Sequence, residues 1–417
     1  MENKVKLLKD CRILDFTNQM GFFCGKIMGD LGADVIKVER PGGDPTRNLG
    51  SFYKDVPHPE KNLYWFAYNN NKRGITLDIE TETGKDLLLK LIEKTDILID
   101  TFEPGYLKKL GLDYAVLTKV KPDIIVTSIT PFGQTGPYKS YKGEDLVLTA
   151  MSGFMSVLGD PDKPPVRPTV PQSYVWIGMH AAEATLMAYY HRGMTGEGQH
   201  VDVSGQAGVC WAASIAPSFF DFNRELPTRA GSFVTGRSVT GAIIRAVYPC
   251  KDGYLTYIIY GGPAGRRTNQ RLTEWMASKG MAPDYLKNKD WSKFDIATVT
   301  QEEINKVEEA NMKFFETVTT AEFFKFVLEN DMLGYPVATA KEIMEDEQLK
   351  ERGMWTEVEH EDLGDKITYP AFFTKFSDIE CGFYRRAPRI GEHNEEVYGE
   401  IGLTKGDILR LKKANVI

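Results

Sequence analysis

Up to about residue 200 the chain alternates short apolar runs with amphipathic ones, and this rhythm constrains the fold more than any other feature. "CRILDF" (11–16) reads as a strand, residues 25–31 as a helix closing at Gly32, and "DVIKVE" (34–39) as the next strand. "ETGKDLLLKLIEKT" (82–95) places its apolar residues at helical spacing and is followed by the strands "DILIDTF" (96–102) and "PDIIVTSIT" (122–130). A β-α-β-α succession of this kind predicts an α/β fold with a doubly wound sheet. Its ligand crevice is expected at the carboxyl ends of the strands, where Arg40, Phe102 and Thr130 fall.

Farther along, 175–191 is an apolar helical run, and "RGMTGEGQHVDVSGQAGV" is a Gly-rich turn followed by a strand and a helix. Residues 215–245 read as loop-rich. The strands 242–250 and 253–260 and the helices 270–280 and 300–318 suggest a smaller domain, and the chain closes with a helix at 395–401. With 417 residues, the chain exceeds what one core usually serves. The expected division is a large Rossmann-like domain (1–214), a linker with a small α+β domain (215–330), and a return to the large domain (331–417).

Composition excludes several function classes. A net charge of −7 argues against a broad nucleic-acid surface, while leaving room for a local anion pocket. No apolar run has the length of a membrane span, and "MENKVKLLKD" lacks the apolar core of a secretion signal, so a cytoplasmic protein is expected. The five cysteines are scattered without a CxxC pair and the six histidines do not cluster, which signals neither a disulfide framework nor a metal site.

Six stretches carry more specific information: "GDLGADVIKVERPGGDPTR" (29–47), "NNNKRGITLDIETETGKDLL" (69–88), "DTFEPGYLKKLGLDY" (100–114), "SITPFGQTGPYKSYKGEDL" (128–146), "RGMTGEGQHVDVS" (192–204) and "RRAPRIGEHNEEVYGEIGL" (385–403). In this order they resemble the class III CoA-transferase family, the carnitine and bile-acid type. The resemblance implies a Rossmann-like large domain, a small domain, and two chains threaded as interlocked rings. It also implies transfer of CoA between carboxylic acids, with a CoA thioester as substrate and no covalently bound cofactor. A family Asp attacks the thioester, giving a mixed anhydride and then an enzyme-bound CoA thioester, a carboxylate version of nucleophilic catalysis. Backbone N–H groups near a Gly-rich loop would stabilise the oxyanion.

The family motif D-x-x-x-G sets that Asp four residues before a Gly, which is Gly178 in "IGMHAA", so the matching position is Tyr174. A phenol titrates near pH 10, and an aryl ester would not give the anhydride the double exchange requires, so the catalytic set implied for this chain is empty. On the CoA side the resemblance implies Arg40, Leu77, Thr101, Phe102, Lys109 and Lys142. Thr101 stands where members often carry Asn, Lys109 replaces an Arg and loses its planar fork, and Glu80 stands in place of a basic residue.

Substitutes for the missing carboxylate are Asp145, which either stabilises an intermediate or caps a helix, and Glu183, nine residues past Tyr174 on the same helix. Ser173 has no His and Asp in sequence reach and reads as a helix cap, and His180 reads as packing. "YGGPAGRR" (260–267) lacks the phosphate-loop spacing and reads as a small-domain loop over an active site, with Arg266 and Arg267 available to an anion. The racemase branch of the superfamily uses a His in a G-H-D loop and an Asp; here Glu144 takes the His place and the Asp is absent. The expectation is therefore a non-catalytic subunit of a heteromeric transferase, of the succinyl-CoA:benzylsuccinate type from anaerobic aromatic degradation. Its partner would be a related subunit carrying the Asp. The alternatives are a self-sufficient transferase with another carboxylate and a racemase-like protein.

Overall fold

The computed structural model describes residues 5–417. Within them the chain forms two compact units, one built from residues up to Met155 with Arg167–Glu225 and Glu347–Ile417, the other from Ser156–Val166 with Leu226–Asp346.

The first unit is organised on six parallel strands: β1 (Arg12–Phe16), β2 (Asp34–Glu39), β3 (Lys72–Thr76), β4 (Ile97–Asp100), β5 (Ile125–Thr130) and β6 (His200–Ser204). Their spatial order is β3-β2-β1-β4-β5-β6, so the direction of winding reverses between β1 and β4. This is the Rossmann order, and the reversal marks the switch point where such sheets open a crevice. Strand residues alternate between two buried faces: Ile13, Val35, Ile97 and Ile125 join one core, and Leu14, Ile36, Leu98 and Val126 join the other. Burial on both faces explains why these strands read as continuous apolar runs.

The helices used below are α1 (Phe22–Asp30), α2 (Glu82–Ile92), α3 (Asp145–Met151) and α4 (Ser173–Thr195). Helix α1 lies against α4, and Gly178 sets the closeness of that contact, since a Cβ there would stand 2.7 Å from the Phe23 Cβ. Helix α4 extends at both ends beyond the apolar run that predicts it, to Ser173 and Thr195.

Strand β3, "KRGIT", is not foreshadowed by any apolar run. Its two cations are neutralised instead: Lys72 binds the Asp15 carboxylate at 2.8 Å, and Arg73 reaches Asp34, Glu396 and Glu400. The outer edge of β3 is covered by the segment that enters α7, defined below: the Gly74 N–H donates to His393 Nδ1, and the His393 N–H donates to the Gly74 carbonyl. A covered edge offers no template for foreign strands.

The second unit carries an antiparallel sheet of β7 (Val247–Pro249), β8 (Tyr254–Thr256) and β9 (Tyr335–Pro336), with helices α5 (Gly262–Ser278) and α6 (Gln301–Phe315) around a core that includes Tyr248, Leu255, Trp291 and Phe315. Two expectations change between residue 215, still in the first unit, and the start of α5 in the second. Residues 215–245, read as loop-rich, hold the helix Ile215–Asn223 and a short pairing of Phe233–Val234 with Ile244–Arg245. "YGGPAGRR" is not a loop throughout: from Gly262 it forms the first turns of α5. There Arg266 donates to the Phe294 carbonyl at 2.7 Å, and Arg267 pairs with Asp331 at 2.6 Å.

The chain ends in α7 (Asn394–Glu400) and α8 (Lys405–Lys413). The latter continues past the helix that the sequence reading ends on, and its start is fixed by a capping box of Thr404 and Asp407. Among the described residues no helix is long and apolar enough to cross a membrane.

Candidate functional site

Three segments converge at the amino end of α4. The loop after β1 brings Gln19, the "KGED" turn brings Glu144 and, as the first residue of α3, Asp145, and α4 itself brings Ser173 and Tyr174. The Tyr174 hydroxyl donates to Glu144 Oε2 at 2.8 Å and accepts from the Asp145 backbone N–H at 3.1 Å. Gln19 Nε2 donates to the same Glu144 oxygen at 3.3 Å. Tyr174 is buried. Its phenol is pushed well above its ordinary value, first by burial and then by the Glu144 carboxylate it donates to. At neutral pH this oxygen is a bound hydroxyl rather than a phenolate, and its proton already has an acceptor.

Asp145 is occupied as a cap. Its Oδ1 accepts from the Ser173 Oγ at 2.7 Å and from the Ser173 N–H at 3.2 Å, satisfying one of the unpaired donors at the start of α4. Ser173 is therefore capped from a distant loop instead of capping the helix itself. Glu183 is exposed and stands 3.5 Å from His180 Nδ1, on a helix that rises about 1.5 Å per residue, so it lies roughly 13 Å along the axis from Tyr174. His180 packs between Trp176 and Trp211. The carboxylate that reaches the Tyr174 oxygen is neither of the expected substitutes; it is Glu144.

A second feature lies at the carboxyl ends of β1, β2 and β4, a cleft of about 350 Å³ whose lining includes Arg40, Leu77, Thr101 and Phe102. Four of the six residues implied for CoA thus share one cleft. Lys109 and Lys142 are exposed and are not among its lining residues. Phe102 is its aromatic wall, with ring centroids 5.7 Å from Phe16 and 4.7 Å from Tyr106. The Thr101 hydroxyl accepts from the Asn18 N–H at 2.8 Å, tying the loop after β1 to the end of β4. At the mouth Arg40 Nη2 donates to Glu80 Oε1 at 2.5 Å and to the Tyr106 hydroxyl at 3.1 Å, while that hydroxyl donates to Glu80 at 2.7 Å.

Behind the loop sits a buried cluster that the sequence reading does not identify. Lys72 Nζ contacts Asp15 Oδ2 at 2.8 Å, Asn69 Oδ1 at 2.9 Å and the Phe22 carbonyl; Lys37 Nζ contacts Asp15 Oδ1 and the Thr17 carbonyl. Burial alone would raise the Asp15 carboxyl, but Lys37 and Lys72 outweigh it and hold it down to about 2. Gly25 faces this cluster, and any Cβ there would collide with the Asp15 carboxylate. Two lysines inside strand positions were the available signal, because a buried ammonium requires a partner.

A further cluster flanks Phe102. The Asp100 carboxyl accepts from the Phe102 N–H at 3.0 Å and from the Ser128 hydroxyl at 2.8 Å, and Ser128 Oγ lies 3.0 Å from His200 Nε2. With serine in the middle and its proton committed to Asp100, this chain is not a nucleophilic triad. Burial pushes the Asp100 carboxyl up to about 6.

A Rossmann-order sheet, a cleft at its switch point and a polar cluster beside the cleft define a small-molecule site on an α/β scaffold. The model of CoA-transferase family III matches residues 8–394, and the chain belongs to that family. It is 32% identical over 413 residues to the succinyl-CoA:(R)-benzylsuccinate CoA-transferase subunit BbsE of Thauera aromatica, covering 97% of each chain. It is 30% identical over 429 residues to the formyl-CoA:oxalate CoA-transferase of Streptomyces coelicolor, covering 99% of each. Among solved structures it resembles a CaiB/BaiF family protein from Brucella suis, with a TM-score of 0.81 and 26% identity over 96% of this chain and 100% of the other. Class III CoA-transferase activity is the chemistry these relatives support.

Proposed function

We propose that this chain is the non-catalytic subunit of a heteromeric class III CoA-transferase, working beside a related subunit that carries the nucleophilic Asp. The observation that carries the reading is Tyr174. Where the family resemblance sets a carboxylate, this chain has a phenol kept protonated first by its burial and then by the Glu144 carboxylate it donates to. Such a group cannot form the mixed anhydride on which CoA exchange depends. Similarity over nearly the whole length to a relative named as a subunit of a benzylsuccinate enzyme supports the same reading. Succinyl-CoA and benzylsuccinate are accordingly the first donor and acceptor to test, although another relative of comparable identity is named for formyl-CoA and oxalate.

In this reading the chain contributes to assembly and shapes the partner's active site, in the cytoplasm. Native mass spectrometry of the complex from its own host should show a mixed assembly whose second chain has Asp at the position matching Tyr174. The chain purified alone should transfer no CoA; robust transfer by a verified homodimer would sink the idea.

One observation favours a second reading, a self-sufficient transferase. Glu144 is exposed and presents an ionisable carboxylate at the Tyr174 oxygen, whereas Asp145 is committed to Ser173. Attack by Glu144 on a thioester would form a mixed anhydride and release CoA thiolate; the thiolate would then attack the glutamyl carbonyl, breaking the anhydride to give a glutamyl thioester and the free donor carboxylate. Borohydride or hydroxylamine trapping under turnover decides this version: a modified Glu144 supports it, and an unmodified chain ends it.

A further inference from the structure

We infer that a cavity at the amino ends of β1 and β2 binds a phosphate group that keeps a proton, with Arg385 and Lys9 as its cations and Glu396 as the acceptor of that proton. Ligand crevices in sheets of this order open at the carboxyl ends of the strands. The cavity is therefore separate from the cleft walled by Phe102, and the inference needs neither a nucleophile nor a partner subunit.

The cavity measures about 470 Å³ and is lined by the turn after the Val5–Lys6 pairing, the first residues of β1 and β2, the pair Tyr384 and Arg385, and α7. Asn71 builds its rim. It is held in the left-handed region, at φ 63°, which a residue other than glycine adopts only where its surroundings impose it. Its Oδ1 accepts from the Tyr384 and Arg385 N–H groups at 2.6 and 2.9 Å, and its Nδ2 donates to the Gly382 carbonyl at 2.6 Å and to Asp30 at 2.7 Å. Tyr384 and Arg385 are thus placed by side-chain bonds from β3's approach rather than by regular structure of their own.

Charge decides what such a cavity can hold. Arg12 and Arg73 are spent on Asp34, Glu396 and Glu400. Lys6, Lys9 and Arg385 have no carboxylate partner among the described residues, and Lys6 stands 3.8 Å from the centre of the Tyr384 ring, a contact that leaves its charge uncancelled. Five cations against three carboxylates leave the lining positive.

A sharper signal is a pair of donors that meet without a protein acceptor. Arg385 Nη1 lies 3.4 Å from His393 Nε2. His393 Nδ1 already accepts the Gly74 N–H, and burial holds the ring below its ordinary value, so the neutral ring carries its proton on Nε2. A guanidinium has no acceptor either. The two N–H groups converge without a bond between them, and an anionic oxygen beside them would accept both.

Glu396 narrows the choice of anion. One of its oxygens meets Arg73 at 2.8 Å, and the other has no partner among the described residues. A carboxylate in an anion site repels an anion without a proton and accepts from one that carries a P–OH group, which favours phosphate over sulfate. Free phosphate and a phosphomonoester share this chemistry.

The test titrates the full chain in its native assembly, in mildly acidic buffer where phosphate keeps a proton and sulfate keeps none. The probes are inorganic phosphate, glycerol 3-phosphate and sulfate. Isothermal titration should show a phosphate probe bound about tenfold more tightly than sulfate, and the tighter of the two phosphates names the source. Charge alone would order them the other way, since sulfate is the dianion. Arg385 and Lys9 are exposed, so Arg385→Gln should weaken phosphate about tenfold without moving the melting temperature of the unliganded protein, and Lys9→Gln should act in the same direction. Glu396→Gln should instead narrow the gap to sulfate to about twofold. Sulfate bound as tightly as phosphate overturns the inference, and so does the absence of phosphate binding. So does phosphate binding that Arg385→Gln leaves intact, or a gap to sulfate that Glu396→Gln leaves unchanged. None of these results bears on whether a catalytic partner exists, which the mass of the native complex decides separately.

Discussion

The Tyr174 hydroxyl donates to Glu144 across 2.8 Å while accepting the Asp145 backbone N–H. One phenolic oxygen therefore pins the turn before α3 to the first turn of α4. Tyr174→Phe keeps the ring, removes both bonds and leaves the Asp145 N–H without this acceptor. A loss of about 1–3 kcal/mol in urea unfolding is expected. Urea unfolding of wild type and variant checks this, and an unchanged midpoint would show that neither bond holds the turn.

Asp15 is the single carboxylate between two buried ammonium groups, Lys37 and Lys72. Asp15→Asn leaves both cations without their counter-charge, and a loss of about 3–5 kcal/mol at neutral pH is expected. The folded carboxyl titrates at about 2 against an ordinary value of 3.8. Its contribution is thus fully present above pH 4 and fades as pH falls toward 2. Denaturation curves of wild type and variant should converge across that window; a constant gap would contradict the assignment.

Asp100 has the opposite sign. Burial raises its carboxyl from 3.8 to about 6, so the folded state holds the proton more tightly than the unfolded one. The stability this gives is complete below pH 4 and is lost as pH rises through 6, by an amount on the order of 3 kcal/mol. Asp100→Asn does not titrate. The stability difference between wild type and variant should therefore shift in the variant's favour between pH 4 and 6, as read by thermal melts across that range.

Gly178 sets the approach of α1 to α4. An added Cβ would stand 2.7 Å from the Phe23 Cβ and 3.1 Å from the Cys24 nitrogen. Although alanine is the better helix former, Gly178→Ala should destabilise by about 1–3 kcal/mol, because overpacking outweighs propensity in a tight contact. A melting temperature at or above wild type would show that the helices separate without cost.

The parts of the fold legible in the sequence were those whose burial is apolar. β1, β2, β4 and β5 announce themselves because both faces of the sheet are covered, and α2 because one face of it is. β3 is hidden because Lys72 and Arg73 are buried through charge partners that lie far away in sequence, at Asp15, Asp34 and Glu400. The site shows the same division. Leu77, Phe102 and Arg40 could be placed in one cleft from family motifs, and the absence of a carboxylate at 174 was visible at once. That Glu144 rather than Asp145 meets the Tyr174 oxygen depends on which side of a turn each faces, and neighbouring letters do not encode that. Nor does the string "YGGPAGRR" reveal whether its glycines begin a helix or a loop; the helix begins at Gly262, and Arg266 and Arg267 meet the Phe294 carbonyl and Asp331.

Arg73 links β2 and β3 to α7, and 323 residues separate it from Glu396. During synthesis the chain emerges from its amino end, so β3 exists for most of translation without the segment that covers it. For that interval the nascent sheet presents an open edge and an arginine held by Asp34 alone, without Glu396 and Glu400, and the second unit must be made before the first can close. Contacts so distant in sequence slow folding and expose unpaired edges to neighbours. Yield in a heterologous host should accordingly depend on translation rate and chaperone supply more than on the stability of the finished protein.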